Sequence, residues 1–129
     1  MFRRKKTERP VVLIVDHSAP SRAAAERILK ESGYDVLTAV NGLHAAHLFR
    51  ERCRDIDVVV VDMVLPHMDG IDTFLAIREI RSDVKVILTG SYEDRESVDR
   101  VLSFGFAGFA PKPFDPSALV GEVEQVIAA

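Results

Sequence analysis

Five strand-like segments, most of them rich in β-branched residues, alternate with five helix-like segments along the chain. The two clearest runs, residues 11–15 and 58–61, are apolar at every position, which is typical of strands covered on both faces. Strands that alternate strictly with helices form a parallel sheet with helices on both sides. Right-handed crossovers restrict the strand order further. The sequence therefore predicts one α/β domain, and 129 residues is a usual length for one.

Turn and capping residues set the expected limits of these elements. Ser18 is a helix cap just before Pro20, and Gly33 follows the end of the first helix. Asn41 and Asp115 are the expected caps of the second and fifth helices. The predicted strands cover residues 11–15, 34–40, 58–61, 84–89 and 106–110. The predicted helices run to about residue 32, over 41–53, 71–81 and 93–104, and from 115 onward.

Charge is distributed unevenly along the chain. Residues 1–9 carry five of the seventeen basic side chains and one of the twenty acidic ones, so the remainder has a net charge of −7. We predict that residues 1–9 form a disordered basic arm and that residues 10–129 form the folded domain. An acidic body argues against direct binding of nucleic acid by the domain, although the arm could touch nucleic acid or anionic lipid.

The sequence gives no sign of export or membrane insertion. Apolar runs such as residues 11–15 are far too short to cross a bilayer, and the basic N-terminus leads into no signal-peptide-like stretch. The single cysteine, Cys53, cannot form an internal disulfide, which fits a reducing compartment. We expect Cys53 to be a packed side chain rather than a nucleophile. These features predict a cytoplasmic protein.

Polar side chains lie at or just beyond the carboxyl ends of four predicted strands: Asp16 with His17, Asp62, Thr89, and Lys112. In open parallel sheets, functional sites gather in the crevice beyond these strand ends. Each residue alone is a weak signal, since an acid at a strand end is often only a surface residue or a helix cap. Their joint placement on one edge predicts a site with two carboxylates, a hydroxyl and an ammonium.

This combination suits phosphoryl transfer. A carboxylate such as Asp62 can attack phosphorus and form an aspartyl phosphate. Catalysis of such a transfer is mainly positioning and charge neutralisation, which a cation held by carboxylates supplies. Lys112 offers a point charge for a phosphate oxygen, and Thr89 can donate a hydrogen bond to the same group. We therefore predict that the edge receives a phosphoryl group.

At these residues the chain resembles the receiver domain of two-component response regulators, including the chemotaxis receivers. The matching segments are residues 13–16 (LIVD), 60–70 (VVDMVLPHMDG), 87–90 (ILTG) and 111–114 (PKPF). The resemblance extends over residues 11–127. It implies a flavodoxin-like (βα)5 three-layer sandwich, with a parallel five-stranded sheet in the order 2-1-3-4-5.

The resemblance also implies a metal site and a phosphoacceptor. Asp62 resembles the phosphoacceptor aspartate, and it would share a Mg²⁺ ion with Asp16. The backbone carbonyl of Val64 would be a further metal ligand.

The expected switch residues come from the same resemblance. Thr89 resembles the hydroxyl that moves toward the phosphoryl group, and Lys112 resembles the lysine that pairs with it. The Lys112–Pro113 peptide bond is usually cis in this family. Phe109 occupies the position of the aromatic switch residue, and the alternative is that it is a permanently buried core residue.

The sequence departs from the family pattern at His17. Receiver domains normally carry two adjacent acids after the first strand, and the second is usually the direct Mg²⁺ ligand. Mg²⁺ prefers oxygen, whereas imidazole suits Zn²⁺, Ni²⁺ or Cu²⁺. Three interpretations stay open: a water fills the ligand position, the chain signals without phosphate, or His17 recruits a transition metal or titrates as a pH switch. We expect weakened Mg²⁺ binding and slow phosphorylation.

The other histidines carry less information. His44 and His47 lie three residues apart on the second predicted helix, a spacing compatible with one metal ion, but no third ligand is evident. We expect a solvated face there. His67 falls in the turn after Asp62, where exposure is the expected state.

Other protein classes fit less well. The main rival is a pseudo-receiver, a binding module that keeps the fold and no longer binds Mg²⁺ or is phosphorylated efficiently. A flavodoxin would need a hydroxyl- and glycine-rich phosphate loop after the first strand. A haloacid-dehalogenase-type phosphatase would need a second acid where Val64 stands.

Partners follow from the same interpretation. A histidine kinase or histidine phosphotransfer protein would phosphorylate Asp62, and the response would appear on the face of the fourth helix, fifth strand and fifth helix. A homodimer through that face is possible. We expect self-phosphorylation and dephosphorylation chemistry rather than a turnover enzyme, in either a single-domain regulator or a receiver cut from a longer protein.

Overall fold

A computed structural model describes residues 9–91 and 95–129 of the chain. Strands and helices alternate throughout these residues. The elements are β1 (Val11–Val15), α1 (Ala19–Glu31), β2 (Asp35–Ala39), α2 (Gly42–Arg52), β3 (Val58–Asp62), α3 (Gly70–Ile80), β4 (Val86–Gly90), α4 (Arg95–Ser103), β5 (Gly108–Pro111) and α5 (Pro116–Ala128).

The five strands form one sheet in the order β2-β1-β3-β4-β5, with every neighbouring pair parallel. The register places Val15 opposite Val61, and Asp62 opposite Thr89. The carboxyl ends of β1, β3, β4 and β5 therefore lie along one edge. The predicted flavodoxin-like α/β fold and its strand order are confirmed.

Alternate side chains of the central strands enter two separate cores. Leu13, Val59 and Leu88 face the cluster that includes residues of α2, α3 and α4. Val60 and Ile87 face the cluster that includes residues of α1 and α5. Strands whose side chains are buried on both faces read as continuous apolar runs, which is why β1 and β3 were the clearest strands in the sequence.

Side-chain caps start four helices at the same edge of the sheet. Each cap accepts a hydrogen bond from a backbone N–H in the first turn, which satisfies a donor that the helix itself leaves unpaired. The capping residues are Ser18, Asn41, Asp69 and Asp115. Short capped turns therefore fix the loops that carry the polar residues of this edge.

Several predicted limits differ from the structure by one or two residues. β4 begins at Val86 rather than at residue 84, and β5 begins at Gly108 rather than at residue 106. Phe106 precedes β5 but is buried and stacks on Phe74, with ring centroids 4.3 Å apart. Buried turn residues of this kind resemble strand residues in a sequence. Residues 92–94, which include the predicted start of α4, lie outside the described residues.

The described part of the chain begins with Arg9, which contacts the domain. Its guanidinium donates hydrogen bonds to the carbonyl oxygens of Lys30, Gly33 and Tyr34 at 3.0–3.1 Å. Residues 1–8 of the predicted basic arm lie outside the described residues. Within residues 9–91 and 95–129, no helix has the length and apolar character needed to cross a bilayer.

Candidate functional site

The polar residues predicted at the strand ends converge at one edge of the sheet. Asp16 directly follows β1, Asp62 ends β3, Thr89 lies in β4, and Lys112 directly follows β5. The side chains of Asp16, Asp62 and Thr89 are almost completely buried. Since buried charges are stable only when they are paired, two carboxylates at one place require a counter-charge.

Lys112 supplies that counter-charge to both carboxylates. Its Nζ lies 2.7 Å from Oδ2 of Asp16 and 2.7 Å from Oδ2 of Asp62. The Lys112 backbone N–H donates to the Gly90 carbonyl at 2.9 Å, which fixes the start of the side chain against β4. The Lys112–Pro113 peptide bond is cis, as the resemblance implied. One ammonium thus joins residues from the ends of three strands.

Three further residues, in the loop after β1 and in the first turn of α1, donate hydrogen bonds to Asp16. Its Oδ1 accepts from the Ser18 backbone N–H at 2.9 Å, and its Oδ2 accepts from the Ser21 hydroxyl at 2.7 Å. Arg22 donates to the Asp16 backbone carbonyl at 2.8 Å. Burial opposes ionisation of Asp16, but the bonds from Lys112, Ser21 and Ser18 together outweigh it, so the pKa of Asp16 lies below its ordinary value.

The Lys112 ammonium is stabilised in its charged form by the same contacts. Burial disfavours the charge, but hydrogen bonds and attraction from Asp16 and Asp62 outweigh it, so the pKa of Lys112 is raised above its ordinary value. Asp16 and Lys112 are therefore both charged across the physiological pH range.

Asp62 lies in the wall of an open cavity of about 390 Å³. Its Oδ1 accepts a hydrogen bond from the Val64 backbone N–H at 3.2 Å, and the Val64 side chain is exposed. Other lining residues are Met63, Gly90, Ser91 and Lys112. The cavity is large enough for a small anionic group beside the Asp62 carboxylate.

His17 lies at the surface next to this pair of acids. Asp16, His17 and Asp62 each offer one ligand atom, and these atoms lie within 4.8 Å of one another. The two carboxylates fit a hard cation such as Mg²⁺, whereas the imidazole fits transition metals better. The three donors together therefore suit a divalent cation, but only the two carboxylates suit Mg²⁺.

The two predicted switch residues lie on adjacent strands. The Thr89 hydroxyl is buried and donates a long hydrogen bond, 3.5 Å, to the Val61 carbonyl. Phe109 is half-buried against the core cluster that includes α2 and α3 residues, and its backbone N–H donates to Oε1 of Glu122 at 3.0 Å. Leu88 of β4 pairs with Phe109 of β5, one position before Thr89.

The remaining residues singled out in the sequence are not part of the group of ligand atoms formed by Asp16, His17 and Asp62. His44 and His47 are exposed; His44 accepts a hydrogen bond from the Val40 N–H, and His47 pairs with Glu51. His67 is exposed in its turn with φ of 68°. Cys53 is half-buried against the core. These positions match the expected exposure of the three histidines and the expected packing of Cys53.

Ser21 and Arg22, which position Asp16, were not predicted from the sequence. Ser21 lies three residues after the Ser18 cap, and the first turn of a helix brings such residues back over the cap. That spacing is a weak signal, because a serine in a first turn is common for capping reasons alone. Only the packing of α1 on the sheet identifies Asp16 as the partner of Ser21.

We predict that Ser21→Ala lowers the free energy of unfolding by about 1.5 kcal/mol at pH 7, since a hydrogen bond to a charged group is lost. The pKa of Asp16 should rise, so the deficit should shrink as pH falls below the ordinary pKa of an aspartate. Urea unfolding at several pH values measures both effects. Ser117→Ala is the control, because that hydroxyl also donates to a carboxylate, Asp115, but in an exposed position. Equal losses in the two variants would contradict a special role for Ser21.

Comparison with known proteins agrees with this geometry. The family model of the response regulator receiver domain matches residues 12–124. The chemotaxis protein CheY of Thermotoga maritima is 34% identical over 116 residues, which cover 89% of this chain and 95% of that protein. The sensor kinase CckA of Brucella abortus is 30% identical over 116 residues, which cover 90% of this chain but 12% of the kinase.

Solved structures give the same result. The CheX–CheY–BeF3–Mg²⁺ complex from Borrelia burgdorferi contains a chain with a TM-score of 0.84 and 29% identity, over 91% of this chain and 88% of that one. The family match extends over nearly all of the described fold and includes every strand end in the site. The chain belongs to the response regulator receiver domain family.

Proposed function

We propose that residues 10–129 act as a phosphoacceptor domain, in which Asp62 takes a phosphoryl group from a histidine kinase or a histidine phosphotransfer protein. The observation that carries this proposal is the pairing of Asp62 with Lys112 at 2.7 Å beside an open cavity. Receiver domains are signalling modules rather than turnover enzymes. The chemistry proposed for this chain is therefore a single modification of its own side chain and its reversal.

In the proposed step, an Asp62 carboxylate oxygen attacks the phosphorus of a phosphohistidine. The O–P bond forms, the N–P bond breaks, and the electron pair of that bond returns to the imidazole nitrogen of the donor. Lys112 lies where it can neutralise charge on the transferred oxygens, because its Nζ already contacts the attacking carboxylate. Val64 can orient the same carboxylate through its backbone N–H.

A bound divalent cation would be held by Asp16, Asp62 and the Val64 carbonyl, and it would neutralise negative charge on the phosphoryl oxygens. Receiver domains bind Mg²⁺ at an acidic pocket of this kind, and the related CheY complex contains Mg²⁺ together with BeF3. We propose that Mg²⁺ binds this chain weakly, because His17 provides nitrogen and no negative charge.

The proposed switch starts at Thr89. Its hydrogen bond to the Val61 carbonyl is long, so little stability is lost when the hydroxyl turns toward a new anionic partner at Asp62. Movement of β4 would reach Phe109, whose ring lies on the neighbouring strand. A groove of about 500 Å³ between α4, β5 and α5 is lined by Val98, Phe109 and Glu122 among others. We propose this face as the surface through which a partner, or a second copy of the chain, senses phosphorylation.

His17 also favours a second candidate, the pseudo-receiver. A chain that no longer binds Mg²⁺ would keep its fold and bind a partner without phosphate. Against this alternative, Asp62, Thr89 and Lys112 are all present and brought together at one edge. The two candidates differ in a single measurable property, the covalent uptake of phosphate.

We predict that incubation with a small acyl-phosphate donor adds one phosphoryl group to the protein, and that Asp62→Asn abolishes this uptake. Intact-mass measurement with and without divalent cation gives the stoichiometry directly. Asp69→Asn is the matched control, because Asp69 caps α3 in the same loop and asparagine caps a helix equally well. Absence of uptake under conditions that label an ordinary receiver would overturn the proposed function and favour the pseudo-receiver.

A further inference from the structure

His17 is the one departure of this site from the usual pair of acids, and its position makes it available as a ligand. It is exposed, and among the described residues no hydrogen bond or ion pair occupies its ring nitrogens. A ligand atom of His17 lies within 4.8 Å of ligand atoms of both Asp16 and Asp62. A metal ion could thus bind the imidazole without breaking an existing contact.

We propose that His17 is a direct nitrogen ligand in a site with Asp16 and Asp62, and that the site consequently selects divalent transition cations of the Zn²⁺ and Co²⁺ type over Mg²⁺. The proposal rests on the proposed function only in placing a cation at this pair of acids. It concerns which cation binds there, and it holds for the unphosphorylated protein.

The carboxylates can take part although Lys112 already contacts them. Lys112 uses Oδ2 of each acid, while Oδ1 of Asp16 accepts from Ser18 and Oδ1 of Asp62 accepts from Val64. Each carboxylate oxygen has two lone pairs, so one acceptor position remains on Oδ1 of Asp16 and one on each oxygen of Asp62, while Lys112 and Ser21 fill Oδ2 of Asp16. The two acids therefore retain capacity to bind a cation.

Charge and donor type favour the same class of cation. With neutral His17, the two acids and Lys112 leave one net negative charge, whereas a second acid in place of His17 would leave two. Mg²⁺ binds mainly through charge and oxygen donors, so its affinity falls most when residue 17 is a histidine rather than an acid. A transition cation gains a bond from the imidazole nitrogen, which offsets its loss of charge attraction.

A preference for transition cations is not diagnostic by itself. Affinities for most protein sites rise along the series from Mn²⁺ to Cu²⁺, so an all-oxygen site also binds Co²⁺ more tightly than Mg²⁺. The diagnostic quantity is the change in the ratio of the two affinities when His17 is replaced by aspartate. A second diagnostic is direct bonding between the metal and the His17 nitrogen.

The experiment titrates the full unphosphorylated chain with Co²⁺ alone, followed by its visible absorption, and then displaces Co²⁺ with Mg²⁺. We expect His17→Asp to lower the ratio of Co²⁺ to Mg²⁺ affinity by at least about tenfold, the usual size of effects near a metal ligand. The exposed His67 provides the control variant, and His67→Ala should leave the ratio unchanged. A ratio in His17→Asp equal to that of the parent protein would overturn the proposal.

A second measurement tests ligation without relying on affinity. Zn²⁺ titration of protein labelled with ¹⁵N at histidine should shift the His17 ring nitrogens at one equivalent, ahead of those of His44, His47 and His67. Saturation that leaves the His17 nitrogens unmoved would also overturn the proposal. Because both readouts use unphosphorylated protein, they are independent of phosphoryl uptake at Asp62. Loss of uptake with intact His17 ligation would refute only the proposed function, and uptake without His17 ligation would refute only the metal preference.

Discussion

Replacement of Lys112 by methionine is expected to lower the free energy of unfolding by about 3 kcal/mol at pH 7, as is usual when one partner of a buried ion pair is removed. Methionine retains an apolar side chain of similar length but no charge. The Lys112 ammonium contacts Asp16 and Asp62, and the side chains of both acids are at most 6% exposed. Without it, two neighbouring buried carboxylates lose their shared counter-charge. Urea unfolding of the two proteins measures the difference.

The pH dependence of this loss has a definite sign. The pKa of Asp16 is lowered in the folded protein, so its contribution to stability is present above the unfolded pKa and is lost as pH falls through the folded pKa. The pKa of Lys112 is raised, so its contribution is present below the unfolded pKa and is lost as pH rises through the folded pKa. The variant should therefore differ most from the parent protein between about pH 4 and pH 10.

A matched control separates the buried pair from lysine substitution in general. Lys30→Met removes an exposed lysine that pairs with Glu26 within α1, and such surface pairs contribute less than about 1 kcal/mol. Asp16→Asn in the Lys112→Met background should recover part of the lost stability, because one buried charge is removed. A Lys112→Met protein as stable as Lys30→Met across this pH range would show that solvent, and not Lys112, neutralises the two acids.

Much of the site could be predicted from the sequence because of the topology. In a parallel sheet every strand ends at the same edge, so Asp16, Asp62 and Lys112 had to lie near one another once the strands were recognised. Buried central strands made that recognition simple, since their apolar runs are uninterrupted. The resemblance then assigned the individual roles, and the cis bond before Pro113 agrees with it.

Other features depend on packing that a sequence does not specify. The bond from Ser21 to Asp16 exists because α1 sits on the sheet with that hydroxyl turned toward the strand end. Glu122 reaches the Phe109 backbone across the packing of α5 on β5, at a separation of 13 residues. Phe106 was assigned to a strand because burial and strand pairing produce the same apolar pattern. In each case the deciding contact joins two elements whose relative rotation was unknown.

The pairing of one lysine with two acids also bears on the proposed switch. Lys112 divides its contacts between Asp16 and Asp62, so a new anionic group on Asp62 would compete with Asp16 for the ammonium. A cation near Asp16 would compensate that carboxylate as Lys112 shifts. The identity of residue 17 would therefore influence the proposed switch through the charge that remains on Asp16, in addition to its proposed effect on metal affinity.

Gly70→Ala is expected to lower the free energy of unfolding by about 2 kcal/mol, because the added methyl group overpacks a buried turn. A Cβ at this position would lie 2.6 Å from the Asp62 carbonyl oxygen and 2.8 Å from Cα of Met63. Both contacts are with backbone, which cannot move aside as a flexible side chain can. The Gly70 N–H also donates to the Met63 carbonyl at 2.9 Å, so the loop after β3 is tied to this residue.

The same substitution should slow phosphoryl uptake, because the displaced backbone carries Asp62. A displacement of about 1 Å at a reacting group can lower a rate by about 10²-fold, so a smaller shift should lower the initial rate by about tenfold. Gly121→Ala is the control: a Cβ there meets nothing within 4 Å, and alanine should stabilise α5 by about 0.5–1 kcal/mol without changing uptake. Urea unfolding and the initial rate of mass gain would be measured for both variants. Gly70→Ala could instead match Gly121→Ala in both the free energy of unfolding and the initial rate of uptake. The close approach of α3 to the Asp62 backbone would then not constrain the site, and Gly70 would matter only as the first residue of α3.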